Sequence, residues 1–395
     1  MSFQINRLFH LLVFLFFLDA CQSSSSGQYV YSPPAATEAD LPVASLTDVN
    51  MDISPIEKAV ERIEKGKYGE VHSLLISKNG KLVLEGYFNG HDYQWDAPDH
   101  YGELVQWTPG RTHFVHSVSK SIISLCIGIA IDKGFIRDVQ QSVFDYMPEY
   151  EYLNTGDKHY INIEHLLSCT GGLQWAEWNA PLSSRENDQV NIWFHPKGPI
   201  DYYLQRPFVA VPGTLFNYSG GGIEVLGKIL ENASGMSVQA FSDEYLFGPL
   251  GLKEAEWNII YPTGEYHVAA GLKLRPRDML KIGMMMLQNG KWNDQQIVSP
   301  EWISKSSTSF LPDMSINVPG EDLRDMGYGY TWWTKDETNN GQAVHWFSAN
   351  GWGGQKIVVL PEFETVIVLT GANYTSKVKE YRIISDYLYK AIRAD

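Results

Sequence analysis

His116-Ser-Val-Ser-Lys-Ser-Ile-Ile-Ser-Leu-Cys-Ile-Gly-Ile-Ala-Ile-Asp-Lys-Gly134 is the stretch around which the chain is organised. From Ile122 to Ile131 the run is almost wholly apolar, with no gap for a polar face. A helix that is hydrophobic all round is a buried helix. Lys133-Gly134 closes it, a cation followed by a helix-stopping glycine. Its first turn nevertheless carries Ser117 and Lys120, three residues apart and so on one face. Lysine is rarely buried without a partner or a purpose. A hydroxyl beside an amine, at the positive end of a buried helix, is one way to make a serine nucleophilic. Ser119 lies roughly 200° around the helix and does not share that face. Ser121 and Ser124 continue down the helix from Ser117 and read as packing.

The flanking sequence sets the fold class. Ser54-Pro-Ile-Glu57 is a capping box with proline at the first helical position. Ile56, Ala59, Val60 and Ile63 give that helix an apolar stripe, and Gly66 ends it. Residues 71–77 and 81–88 read as strands, and Asn79-Gly80 between them is a strong hairpin signal. Residues 137–311 read as mainly helical with long loops, with helices over 162–167, 221–232, 278–287 and 300–306. Strands return over 327–333, 343–348, 356–360 and 365–370, rich in aromatic and β-branched residues. A closing helix is predicted over 377–393. The expected architecture is α+β. An antiparallel sheet flanked by helices is built from both chain ends, about 51–135 and 320–395, with a mainly helical domain inserted over about 136–319. A site between the two parts is the default pocket.

The chain has 395 residues, 44% hydrophobic and 13% aromatic, enough for a sizeable core. Its formal net charge of −15 argues against a nucleic-acid partner, which needs a basic face. No Lys/Arg cluster marks a peripheral membrane surface. The cysteines are Cys21, Cys126 and Cys169, with no zinc-type spacing and no HExxH. His113 and His116 have no neighbour that completes a metal site, so neither metal nor cofactor is expected. Residues 1–21 read as an export signal, with Arg7 before the apolar run 11–18. Leu18-Asp-Ala-Cys21 resembles a bacterial lipobox, which would make Cys21 a lipid-attachment site. The other reading is an ordinary cleaved signal with an incidental cysteine. Residues 22–50, with Ser23–Ser26 and Pro33-Pro34, read as a flexible linker before a catalytic domain over 51–395. An exported protein of the bacterial cell envelope is expected, touching membrane only through such an anchor.

No serine sits in a Gly-x-Ser-x-Gly elbow. The Ser-x-x-Lys pair instead belongs to an ordered set: His116-Ser-Val-Ser-Lys-Ser121, Ile163-Glu-His-Leu-Leu-Ser-Cys-Thr-Gly-Gly-Leu173, Pro212-Gly-Thr-Leu-Phe-Asn-Tyr-Ser-Gly-Gly-Gly222 and Ala349-Asn-Gly-Trp-Gly-Gly-Gln355, with Gly271-Leu-Lys-Leu-Arg-Pro-Arg-Asp-Met-Leu280 beside them. In these segments, across about residues 70–372, the chain resembles the class C β-lactamase-like serine hydrolases. That family includes penicillin-binding esterases, D-aminopeptidase-like enzymes and oligomeric-amide hydrolases. The resemblance implies Ser117 as nucleophile, with Lys120 and Tyr218 as its base. It also implies an oxyanion hole from the N–H groups of Ser117 and Gln355, and a substrate-lining triplet Trp352-Gly353-Gly354.

This chain departs from the family pattern at two positions. Gly220 stands where the family usually has asparagine, with Asn217 and Ser219 as the neighbouring candidates to supply that contact. Trp352 replaces the cationic or imidazole residue that faces a substrate carboxylate. Both changes fit an esterase or amidase with an aromatic-lined cleft better than a β-lactamase. Trp107, Trp175, Trp178 and Trp352 are the candidate cleft aromatics, each as readily an ordinary core residue. His165 reads as structural, and Cys126 and Cys169 as small buried apolar residues whose pairing the sequence leaves open. The expected function is hydrolysis of a small ester, amide or peptide-like substrate through a Ser117 acyl-enzyme. The alternatives are a β-lactamase or D-Ala-type peptidase acting on cell-wall peptides and, from another class, a non-catalytic envelope binding protein.

Overall fold

Asn79 and Gly80 turn the chain with both residues in the left-handed region, at φ 52° and 71°. The turn joins β1 (Val71–Lys78) to β2 (Lys81–Tyr87) at one edge of a seven-stranded sheet. The computed structural model describes residues 28–318, 323–339, 341–375 and 379–392. The other five strands of the sheet come from the far end of the chain: β3 (Gly327–Tyr328), β4 (Trp333–Asn339), β5 (Gln342–Gly351), β6 (Gln355–Leu360) and β7 (Thr365–Gly371). Their order is β3-β4-β5-β6-β7-β1-β2. The two chain ends meet where β1 pairs antiparallel with β7, Leu74 opposite Leu369 and Ile76 opposite Ile367.

Side chains alternate between the faces of a strand, and here both faces are buried. Ile357, Val359, Val366 and Val368 enter one core, and Val358, Leu360, Ile367 and Leu369 enter the other. The second core is closed by α1 (Ile53–Glu64), through Ile56, Ala59, Val60 and Ile63, and by Tyr381, Ile384 and Leu388 near the C-terminus. The first core holds α2 (Val118–Asp132), in which every residue from Val118 to Ala130 is buried. Ser121 and Ser124 do more than pack. Their hydroxyls donate to the carbonyls of Thr331 (2.8 Å) and Tyr330 (2.9 Å). Those carbonyls belong to the break between β3 and β4, where Thr331 takes φ 65°, so the strand predicted over 327–333 is interrupted.

The insert carries α3 (Ile163–Leu167) and α4 (Gly220–Ser234). It ends earlier than the predicted residue 319, because α5 (Pro276–Leu287) lies back on the sheet. Met279, Met284, Met285 and Met286 join the first core, and any side chain at Gly283 would collide with Val366. A small hairpin that the pattern does not signal, residues 89–93 with 101–106, stands beside the sheet.

Residues 28–50 correct the flexible linker expected over 22–50. Tyr31 donates its hydroxyl to the Val83 carbonyl (2.8 Å), Val43 bridges to Leu82, and Leu41, Leu46 and Val49 are buried. Lys281 on α5 holds Glu38 at 2.9 Å and Asp40 at 2.7 Å. These apolar residues lack a period because they dock singly, which is why the composition reads as linker. The export signal, Cys21 and residues 22–27 lie outside the described residues. Among the described residues no helix is long and apolar enough to cross a membrane.

Arg277 on α5 is 4% exposed and grips Glu85 on β2 bidentately, Nε to Oε1 at 2.6 Å and Nη2 to Oε2 at 2.5 Å. Arg277→Ala would leave the Glu85 carboxylate buried without its counter-charge. Breaking such a pair costs about 3–5 kcal/mol, expected as a lowered denaturant midpoint. A loss under about 1 kcal/mol, the worth of a surface pair, would contradict this.

Candidate active site

Ser117 stands at the entry to α2, after His116, whose φ is 47°. Its side chain caps nothing in the helix, so the hydroxyl is free for chemistry. Lys120 lies one turn on and is 1% exposed. Its Nζ donates to Ser117 Oγ at 2.9 Å and to the Ala269 carbonyl at 3.1 Å. The same Nζ stands 4.9 Å from the centre of the Tyr218 ring. The buried Tyr218 has the Ser117 and Lys120 side chains as its polar neighbours. Serine, lysine and tyrosine, drawn from two distant segments of the sequence, thus meet at one point.

Glu177 joins them, and nothing in the sequence pattern had singled it out. Its Oε2 accepts from Trp175 Nε1 and from the Gly220 N–H, both at 2.8 Å, and its Oε1 faces Lys120 Nζ at 3.9 Å. The electrostatics change accordingly. Burial pushes Lys120 towards its neutral form, as expected of a dry site. Tyr218 and Glu177 outweigh that effect, and the ammonium titrates above the usual lysine range. Burial also raises Tyr218; Lys120 opposes this and Glu177 reinforces it. Both groups are thus shifted towards their protonated forms.

A second network outside the motifs fixes Lys120 from behind. Glu224 on α4 accepts from the backbone N–H groups of Val268 (3.1 Å) and Ala269 (3.2 Å). It also receives the Tyr261 hydroxyl at 3.1 Å and meets His267 Nδ1 at 2.7 Å. This buried set aims the Ala269 carbonyl at the lysine.

The β5–β6 turn reaches the same place. Gly351 packs so closely on the Val115 carbonyl that a side chain there would collide with it. Trp352, Gly353, Gly354 and Gln355 follow, beside the segment that enters Ser117. Gly353 and Gly354 take φ 82° and 97°, and a side chain at 353 would overlap the Tyr374 ring. The Gln355 side chain is turned inward, its Nε2 donating to the Gly371 carbonyl at 2.6 Å. Trp352 is anchored by Nε1 on the Tyr374 carbonyl (2.9 Å), and its ring meets His116 at 5.6 Å, Tyr374 at 4.9 Å and His100 at 4.8 Å. Tyr93, from the unpredicted hairpin, closes this aromatic wall against His116 at 4.7 Å. Burial, with His267 and Lys120 nearby, holds the His116 imidazole down to about 3, so it stays neutral.

The four candidate tryptophans separate. Trp178 stacks on Tyr218 at 4.3 Å and Trp352 lines the wall. Trp175 is buried and holds Glu177. Trp107 is a core residue, stacked at 3.7 Å on His113. Among the described residues no group of His, Cys, Asp and Glu side chains could hold a metal ion. His165 is structural: its ring and backbone complete the Asn162 capping box of α3. Cys126 and Cys169 are buried free thiols, not a disulfide. Asn217 and Ser219 do not fill the Gly220 gap. The Asn217 amide donates to the Leu173 and Trp175 carbonyls, both at 3.3 Å, and Ser219 Oγ caps α4 by accepting from Gly222 N at 3.2 Å.

Comparison with known proteins places the sequence and the fold. The family model described as Beta-lactamase matches residues 69–385. Among curated proteins the chain is 23% identical over 270 residues to the 6-aminohexanoate-dimer hydrolase of Paenarthrobacter ureafaciens, covering 66% of each chain. It is 26% identical over 180 residues to esterase EstB of Burkholderia gladioli, covering 42% of this chain and 44% of the esterase. The chain thus spans less than two thirds of the length of either relative. The octameric penicillin-binding protein homologue from Pyrococcus abyssi has the same fold, with a TM-score of 0.60 at 21% identity, over 85% of this chain and 77% of that one.

Proposed function

The chain belongs to the beta-lactamase family, and from that premise we propose that it is an exported serine hydrolase cleaving an ester or amide bond through a Ser117 acyl-enzyme. The observation that carries this reading is the 2.9 Å hydrogen bond between a buried lysine and a hydroxyl that caps no helix. In the proposed reaction Ser117 Oγ attacks the carbonyl carbon as its proton passes to the Lys120–Tyr218 pair. The oxyanion forms between the N–H groups of Ser117 and Gln355, each such donor worth about 2.7–4 kcal/mol. The pair then protonates the leaving alcohol or amine, and water releases the acid. Trp352, Gly353 and Gly354 border the acyl group. A 6-aminohexanoate-dimer hydrolase and an esterase among the similar proteins support both bond types. The aromatic wall where the family places a cation or imidazole favours uncharged groups over the carboxylate of a β-lactam. Lipid attachment at Cys21 and residence in the cell envelope belong to the same proposal, resting on the Leu18-Asp-Ala-Cys21 resemblance.

A fluorophosphonate probe should add one label per chain, located at Ser117 by peptide mass spectrometry. Labelling that persists in Ser117→Ala would overturn the assignment. Palmitate incorporation in cells, lost in Cys21→Ser, checks the anchor.

A further inference from the structure

Two oxygens compete for the Lys120 side chain. Its Nζ donates to the Ala269 carbonyl at 3.1 Å, while the Glu177 carboxylate stands 3.9 Å away, beyond hydrogen-bond length. Lys120 is 1% exposed, so little water screens the attraction between the two charges. A displacement of about 1 Å would close the gap to a direct ion pair. The lysine would then leave the 2.9 Å bond that joins it to Ser117. The neutral acceptor therefore has to be held in place against the charged one.

Glu224 on α4 supplies that hold. It is 3% exposed, and a carboxylate so buried persists only where its lone pairs are met. Its Oε1 accepts from the Ala269 N–H (3.2 Å) and the Tyr261 hydroxyl (3.1 Å) and meets His267 Nδ1 (2.7 Å). Its Oε2 accepts from the Val268 N–H at 3.1 Å. The Val268 N–H is shared with the Tyr266 carbonyl (2.9 Å), whereas the Ala269 N–H has Glu224 alone among the described residues. The residue whose carbonyl receives Lys120 is thus pinned through its own N–H. The chain beyond the turn is tied separately: Leu272 donates to Ser119 Oγ at 3.3 Å and accepts from the Val115 N–H at 3.0 Å. Those bonds fix residue 272 and leave the Ala269 carbonyl to Glu224.

We propose that Glu224 is a positioning residue that, by pinning residue 269, keeps Lys120 on Ser117 and off Glu177. It touches neither the substrate nor the reacting atoms. The Ala269 carbonyl takes one hydrogen of Nζ, which leaves the nitrogen turned towards Ser117 Oγ for the proton transfer. Without the pin the carbonyl yields, and the lysine closes on the Glu177 carboxylate. This inference rests on the proposed Ser117 chemistry.

A double-mutant cycle tests it, with a nitrophenyl ester as substrate at one fixed pH. Glu224→Asp keeps the charge and draws it back by one carbon, so residue 269 either loses its bond or follows it. In the parent, kcat should fall about 10- to 100-fold, the effect of a misplacement near 1 Å, with KM within about twofold. In a Glu177→Gln background the lysine has no charge to close on, and the same change should cost less than about threefold. A destabilised fold would lower activity equally in both backgrounds, so the coupling reads position and not stability. Glu224→Leu, which removes the acceptor at similar volume, goes through the same cycle and carries the test should the aspartate variant not fold. Losses equal within about twofold in the two backgrounds would make Glu224 purely structural and overturn the proposal. So would a loss under about threefold in the parent. Hydrolysis that survives Ser117→Ala would instead overturn the proposed function.

Discussion

Ser117→Ala is expected to remove turnover of every ester and amide substrate, by on the order of 10⁴–10⁶-fold, while leaving the melting temperature within about 2 °C, the range of a neutral surface change. No neighbouring serine is placed to take over. Ser119 Oγ points elsewhere and accepts from Leu272 N at 3.3 Å, and Ser121 Oγ is committed to the Thr331 carbonyl. The stability half follows from the helix entry: Ser117 makes no capping bond, so alanine removes no cap, and Lys120 keeps its bond to the Ala269 carbonyl. Turnover against a panel of nitrophenyl esters and anilides, with a thermal melt of the same sample, checks both halves. Residual activity above about 1%, or a melt lowered together with the activity, would assign Ser117 a structural role.

The sheet was legible because its signals are local. Asn79-Gly80 and the apolar alternation of 71–77 and 81–88 are short-range features, and so are the β-branched runs that became β6 and β7. That one sheet draws on both chain ends followed from where these runs lie in the chain, whereas the pairing of β1 with β7 is seen only in the structure. The helix–loop boundaries were harder. α5 looks from sequence like any helix of the insert, and only its contacts with Val366 and Ile357 assign it to the sheet. Residues 28–50 carry their stability in single anchors such as Tyr31 and Glu38, which leave no periodic trace.

The site divides in the same way. Ser117 and Lys120 were readable because burying an ammonium on an apolar helix is costly and is seldom retained without a chemical use. Glu177 and Glu224 were not, because their roles exist only after folding brings distant segments together. Glu177 lies in a stretch with no period or motif. The fold turned the Gly220 departure from a missing contact into a space occupied by Gln189.

Lys120→Met should lower kcat/KM on the order of 10²–10⁴-fold, the span of a positioned proton acceptor, and flatten its dependence on pH. The parent protein keeps both Lys120 and Tyr218 titrating above their ordinary ranges. Attack by Ser117 needs a vacant proton site in that pair, so kcat/KM should climb as pH rises through neutrality into the alkaline range. The apparent pKa of that limb belongs to the pair as a unit. Glu177 gives the sign test. Its carboxylate favours the protonated form of both groups, so Glu177→Gln should move the limb to lower pH and raise relative activity on the acid side. Lys120→Met removes the limb instead of moving it. The fold should tolerate both changes: methionine fills the lysine stem's volume, and Glu177 keeps its bonds from Trp175 and Gly220 when the ammonium is gone. Profiles of kcat/KM from about pH 5 to 10 separate the outcomes. A limb that moves upward in Glu177→Gln contradicts a base governed by that carboxylate. A Lys120→Met enzyme within about tenfold of the parent, with its limb intact, places the proton acceptor elsewhere.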